Sequence, residues 1–253
     1  MSETFKSWLL LILLSCVWGS SFVLIKIGLF DGQGNVRLPA DQLGALRVTF
    51  AFLALVPILI KSVKHLNKKN ILFLMIAGVC GNGLPAFLFA YAETTLNSSI
   101  TGMLNSLVPL FTILIGTLFF SFQIKRIHVV GIGVAIFGTF LIVQEELLGV
   151  EMTIQMIMPF LALILATVCY ATSLNVIKYK LVEVKSTAIT ALSFLMISPI
   201  AIGYLFSTDF VIRVQEQENV LPGVWAILIL AIVGTATAVL LFNKLIKISS
   251  PIF

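Results

Sequence analysis

Ser15, Trp18 and Ser21 recur at three-residue spacing inside an apolar run from Trp8 to Leu29, which sets an aromatic wall and two hydroxyls on one helix face. Tyr170 and Ser173 repeat the pattern between Phe160 and Leu181. Thr101, Asn105 and Thr112 fall on a single face of another apolar segment, and Asn82 and Thr235 occupy corresponding places on two more. Polar side chains at such depth are costly, so a ring of them invites a functional reading. The chemistry is hydrogen bonding to a passing solute rather than bond making. Trp18, Ser21, Asn82, Asn105, Tyr170, Ser173 and Thr235 are the expected substrate contacts. Helix packing is the competing explanation for each isolated hydroxyl, because small polar residues let membrane helices approach closely. Trp18 and Tyr170 lean toward the cavity, since they sit mid-segment rather than in the interfacial belts where aromatics gather.

Three charged residues extend this set. Lys26 and Arg47 lie within apolar segments, and Glu93 lies at the end of one. A link from Arg47 or Lys26 to Glu93 could form an outer gate, and a purely structural ion pair is the alternative. Lys178, the counterpart of Lys26, is expected to snorkel to headgroups. No Asp or Glu lies near the middle of any apolar segment, which disfavours proton-driven export of organic cations and favours zwitterionic, neutral or anionic solutes. The two histidines, His65 and His128, sit among lysines in loops, and no zincin pattern or paired aspartates occur. An enzyme, a metal site and a bound cofactor are therefore not expected, nor is a nucleic-acid partner. Cys16, Cys80 and Cys169 fall inside apolar segments, where they read as packing residues.

The elements that must position these residues follow from composition. Of 253 residues 59% are apolar and 11% charged, more hydrocarbon than a soluble core can bury. Crossing the bilayer takes about 20 apolar residues in a helix, and eight segments qualify: 8 to 29, 42 to 60, 71 to 91, 99 to 120, 127 to 143, 156 to 177, 187 to 206 and 222 to 242. The first lacks a small-residue cleavage site and reads as a retained span. A cytoplasmic N-terminus puts Lys61, Lys64, Lys68, Lys69, Lys125, Arg126, Lys185 and Lys244 inside and only Arg37 and Arg213 outside, as the positive-inside rule requires. Acidic residues, among them Asp31, Asp41, Glu145, Glu146, Glu151 and Asp209, then lie outside. The expected location is the inner (plasma) membrane.

The first and sixth segments also repeat each other at an offset of 152: Trp18 meets Tyr170, Ser21 meets Ser173 and Lys26 meets Lys178. A weaker match at 153 lays Gly81 to Phe89 on Gly234 to Phe242. In the assigned orientation the first span runs outward and the sixth inward. The reading is an all-α integral membrane protein built as an inverted five-helix repeat, a recurring transporter plan with substrate held between the halves. The repeats are expected over 1–143 and 156–253, the second with three spans, so that eight of an expected ten are present. Pro85 and Pro109 are expected to kink the third and fourth spans.

Several passages carry a family resemblance: WGSSFVLIK in the first span, Ala45-Leu46-Arg47 in the second, AYAETTLNSSITGMLNSLVPLFTILIG across the third and fourth, GIGVAIFG in the fifth and VGTATAVLLF in the eighth. In this order they resemble the EamA-type branch of the drug/metabolite transporter superfamily. The resemblance implies ten spans and export of small metabolites, amino acids being a common class, by alternating access. A Glu common in the family near the end of the fourth span is absent, with Gln123 nearest. A truncated, non-transporting membrane protein, or a fragment needing a second chain, is the alternative. The residues specify neither the solute nor the oligomeric state.

Overall fold

The computed structural model of the chain describes residues 3–147 and 154–248. Residues 249–253, Glu151 and the side chains of Glu145 and Glu146 lie outside the described set. Twelve α-helices are formed among the described residues: α1 (Glu3–Leu29), α2 (Ala40–Ser62), α3 (Ile71–Gly78), α4 (Leu84–Thr95), α5 (Ser98–Asn105), α6 (Val108–Phe120), α7 (Arg126–Leu147), α8 (Ile154–Lys180), α9 (Ser186–Ser207), α10 (Phe210–Glu216), α11 (Leu221–Ile229) and α12 (Ala238–Ile248). Among these residues there is no strand beyond one isolated bridge, Phe30 to Val36. Lipid offers no partner to a backbone amide, so each crossing segment closes its own hydrogen bonds as a helix.

Seven helical segments are long and apolar enough to span a bilayer: Ser7–Leu29, Ala40–His65, Ile71–Thr95, Ser98–Phe120, Ile157–Lys180, Ser186–Ser207 and Glu218–Lys247. The chain is a multi-pass membrane protein. The eighth expected span, over 127–143, lies within α7, whose described apolar part, Arg126–Leu141, is shorter than the seven others. Arg126 closes that run at one end and Gln144-Glu145-Glu146 at the other.

Three spans are broken rather than straight. A π-helical turn, Val79–Gly83, separates α3 from α4, with Pro85 in the first turn of α4. A second, Leu230–Thr237, separates α11 from α12 without any proline. Ser106 and Leu107 interrupt α5 and α6, and Pro109 opens α6. Both kinks expected from proline are present. The break in the last span was not legible, because a π-helical turn needs no proline to mark it. The two π-helical turns occupy equivalent places at the 153-residue offset.

The centre of the bundle is the crossing of α2 and α9, where Ala51, Leu55, Phe194, Ile197 and Ala201 are buried together. Gly28 on α1 packs against Ile227 of α11, while Leu14 clusters with Ala238 and Leu245 of α12, so α1 and the α11–α12 span are antiparallel. Lys178, near the C-terminus of α8, reaches Ile246 near the C-terminus of α12. It follows that α8 runs parallel to that span and opposite to α1. A membrane helix burying 61% of its apolar window, as α8 does, is central, whereas α1 buries 17% and lies at the periphery.

Close approach depends on glycine at one point above all. A Cβ on Gly78 would collide with the main-chain oxygen of Ser193, pushing α3 off α9, whereas Gly131 has open space around it. Gly78→Ala is expected to lower stability by about 1–3 kcal/mol, the usual cost of overpacking. Gly131→Ala is expected to be neutral or slightly stabilising, and thermal unfolding of the detergent-solubilised protein compares the two.

Candidate functional site

A cavity of about 310 Å³ lies where the two π-helical turns face each other across the bundle. Of the seven expected substrate contacts, Trp18, Ser21, Asn82, Asn105, Tyr170 and Ser173 line it. Thr235 stands behind Gly234 and acts on the cavity through a neighbour: Arg47 Nε donates to Thr235 Oγ1 at 3.0 Å, and the hydroxyl passes its own proton to Leu230 O at 3.1 Å. Arg47 therefore enters the cavity with one edge of its guanidinium already fixed. Ser15 falls outside; it is exposed, and its hydroxyl bonds the Leu11 carbonyl. Three-residue spacing rotates about 60° per step around a helix, so a stripe beginning in the cavity leaves it within two steps. Thr101 and Thr112 likewise turn their hydroxyls onto their own helices.

The walls are built by pairing across the halves. Trp18 Nε1 donates to Gly234 O at 3.0 Å, inside one π-helical turn. Ser173 donates to Ala77 O at 3.2 Å, just ahead of the other. A Cβ on Gly234 would lie 2.8 Å from Ser21 Oγ, and one on Gly81 would overlap Ser173 Oγ, so the same serine-on-glycine contact occurs twice at the repeat offset. Phe22, Phe89 and Tyr170 form an aromatic chain with centroids 5.9 and 5.7 Å apart, and Phe242 meets Trp18 edge-on at 4.8 Å.

Two cavity residues escaped the sequence reading. Ser193 on α9 is 2% exposed and its hydroxyl has no partner. Asn243 on α12 gives its amide to Thr190 Oγ1 at 2.9 Å. Ser193 belongs to none of the polar stripes or repeat matches above, and Asn243 lies just past the 222 to 242 segment. Asn105 Oδ1 is also buried without a partner. The cavity thus runs from Arg47, roughly 10 Å into α2 from one face, to Ser193, roughly 10 Å into α9 from the other, at about 1.5 Å per residue.

Next to Ile25 and Ile177, which line the cavity, a lysine meets helix-end carbonyls, which lack intrahelical donors. Lys26 Nζ donates to Glu93 O at 2.6 Å and Leu96 O at 3.0 Å. Lys178 Nζ donates to Ile246 O at 3.0 Å. These are one contact seen twice, since Ile246 follows Glu93 by the repeat offset. Lys178 is thus engaged by protein, which replaces the snorkelling expected for it. Lys26 meets Glu93 through the main chain, and Arg47 is held by Thr235. At the face bearing Asp31 to Ala40, Tyr204 donates to Asp41 at 2.7 Å and Gln42 to Asp209 at 2.5 Å. The Gln42 amide, with Arg213 beside it, holds the Asp209 carboxyl below the usual carboxylate range.

Cys16 is exposed, Cys80 half-buried and Cys169 buried, all as free thiols. Among the described residues, no group of three His, Cys, Asp or Glu side chains is placed to hold a metal ion.

The two hydroxyl and indole contacts separate packing from cavity roles. Trp18→Phe strands the Gly234 carbonyl and is expected to cost about 1 kcal/mol or somewhat more, as for a lost buried hydrogen bond. Ser193→Ala removes a hydroxyl that bonds nothing and is expected to leave stability within about 0.5 kcal/mol or raise it. Unfolding measured on both variants in detergent checks the pair.

No curated protein matches the chain. The model of the EamA-like transporter family matches it in two passages, residues 6–144 and 157–253. Those passages contain both π-helical turns, both lysine fasteners and every residue named above as lining the cavity. The chain belongs to the EamA-like transporter family.

Proposed function

We propose that the protein exports a small metabolite across the inner membrane by alternating access between two inverted repeats. The observation that carries this reading is the cavity itself, walled by equivalent residues of both repeats, with an equivalent lysine contact near either face. Arg47, with its Nε fixed on Thr235, offers the rest of its guanidinium to an anionic group, while Asn105 Oδ1 and Ser193 Oγ offer unused hydrogen-bonding capacity further along. An amino acid, with a carboxylate for Arg47 and an ammonium for Asn105, fits that arrangement. Trp18 and Tyr170 supply the apolar walls. The basic loops around Lys64, Lys68, Lys69 and Lys185 support a cytoplasmic N-terminus. Lys26, Arg47 and Glu93 then stand toward the outer face as gate residues.

Release of labelled amino acids from loaded cells tests the proposal on the full-length protein. The expected result is faster loss of at least one solute than in cells without the protein; equal retention for every solute tried contradicts it. Arg47→Met is expected to weaken apparent affinity for that solute about tenfold or more, the scale of a hydrogen bond to a charged group. Its effect on a neutral solute is expected to be smaller.

A further inference from the structure

Glu93 is fully buried, at 0% exposure, near the C-terminus of α4. Its Oε1 has no hydrogen-bond partner. Its Oε2 lies 3.1 Å from Ser98 Oγ, and that same oxygen lies 3.2 Å from Phe22 O. A hydroxyl has one proton to give and a main-chain carbonyl can only accept. When the Ser98 proton goes to Phe22 O, the contact with Glu93 is a hydrogen bond only if the carboxyl itself donates. The relay from Glu93 through Ser98 to the Phe22 carbonyl is complete with a proton on Glu93 and incomplete without one. A buried ionised carboxylate with one bare oxygen would also be costly.

The charged and titratable groups around it fit that arrangement. From α1 comes Lys26, which spends its ammonium on the main-chain oxygens of Glu93 and Leu96. From α2 comes Arg47, held on Thr235. The adjoining α5 presents only the Ser98 hydroxyl, and α8 the phenol of Tyr170, one turn deeper against Phe89. No ion pair joins Glu93 to either cation among the described residues. The matching lysine of the second repeat, Lys178, meets Ile246, which has no carboxyl. Ser98 is half-buried at the start of α5.

We propose that the Glu93 carboxyl is a proton-binding site that controls the Lys26 fastener. With the proton bound, Lys26 stays on the Glu93 and Leu96 carbonyls and ties α1 to the turn between α4 and α5. Loss of the proton through Ser98 to water leaves a carboxylate that draws Lys26 off those carbonyls and frees that end of the cavity. The proton is the only species exchanged, and no covalent bond other than its O–H changes. The transport consequence rests on the function proposed above; the proton site does not.

Two readouts on the full-length protein separate these. Infrared difference spectroscopy across a pH step is expected to show a carboxylic acid C=O band that is lost in Glu93→Gln and moved to higher frequency in Ser98→Ala, which removes its hydrogen-bond partner. In proteoliposomes, solute flux is expected to depend on the pH at the Asp31 to Ala40 face, and Glu93→Gln is expected to abolish that dependence whatever its absolute rate. A band that persists in Glu93→Gln, or a pH dependence unchanged by it, overturns the proposal. Should Glu93→Gln fail to fold, an unshifted band in Ser98→Ala overturns it alone. Absence of flux in the wild type while the band behaves as expected contradicts the transporter reading and leaves the proton site standing.

Discussion

Every main-chain carbonyl in this bundle must find a donor without help from lipid, and the rest of the structure depends on how that is done. Straight helices satisfy the demand alone. Those of this chain are interrupted at Val79–Gly83, at Ser106–Leu107 and at Leu230–Thr237, and each interruption or helix end releases carbonyls that side chains from other helices must meet. Trp18 meets Gly234, Ser173 meets Ala77, Lys26 meets Glu93 and Leu96, and Lys178 meets Ile246. The polar residues that looked like substrate contacts are in part the donors that make broken helices tolerable. Cavity and scaffold use the same side chains.

This double duty explains why the halves behave alike. Equivalent breaks at the 153-residue offset need equivalent donors, so the 152-residue match between α1 and α8 preserves a serine, a large aromatic and a lysine while the lipid-facing residues drift. It also shows where the halves differ. Arg47 has no counterpart that enters the cavity, and Glu93 has Ile246 in its place, so charge is concentrated toward one end of a scaffold that is otherwise symmetric. The cavity carries a guanidinium toward one end and neutral amide and hydroxyl groups toward the other.

Much of this was legible in the residues. Span positions follow from apolar length, and six of seven expected contacts reach the cavity, five where mid-span polarity and repeat position agree and Asn105 on polarity alone. What was not legible has identifiable causes. Ser15 was misplaced because three-residue spacing drifts around the helix. The α11–α12 break has no proline or unusual glycine run to mark it. Ser193 and Asn243 belong to no stripe or repeat match and become cavity residues only through the packing of α9 and α12. Lys178 reads as an interfacial lysine until the free carbonyl at Ile246 is seen beside it. Sequence registers which groups are polar, but the identity of an orphan carbonyl is a tertiary fact.

Export as proposed requires the Lys26 and Lys178 contacts to open. Paired cysteines replacing Lys26 with Leu96, and separately Lys178 with Ile246, in a full-length protein lacking its native thiols, test this most directly. Oxidation across either pair is expected to stop solute flux in proteoliposomes, and reduction to restore it. Undiminished flux with both pairs cross-linked would contradict the account.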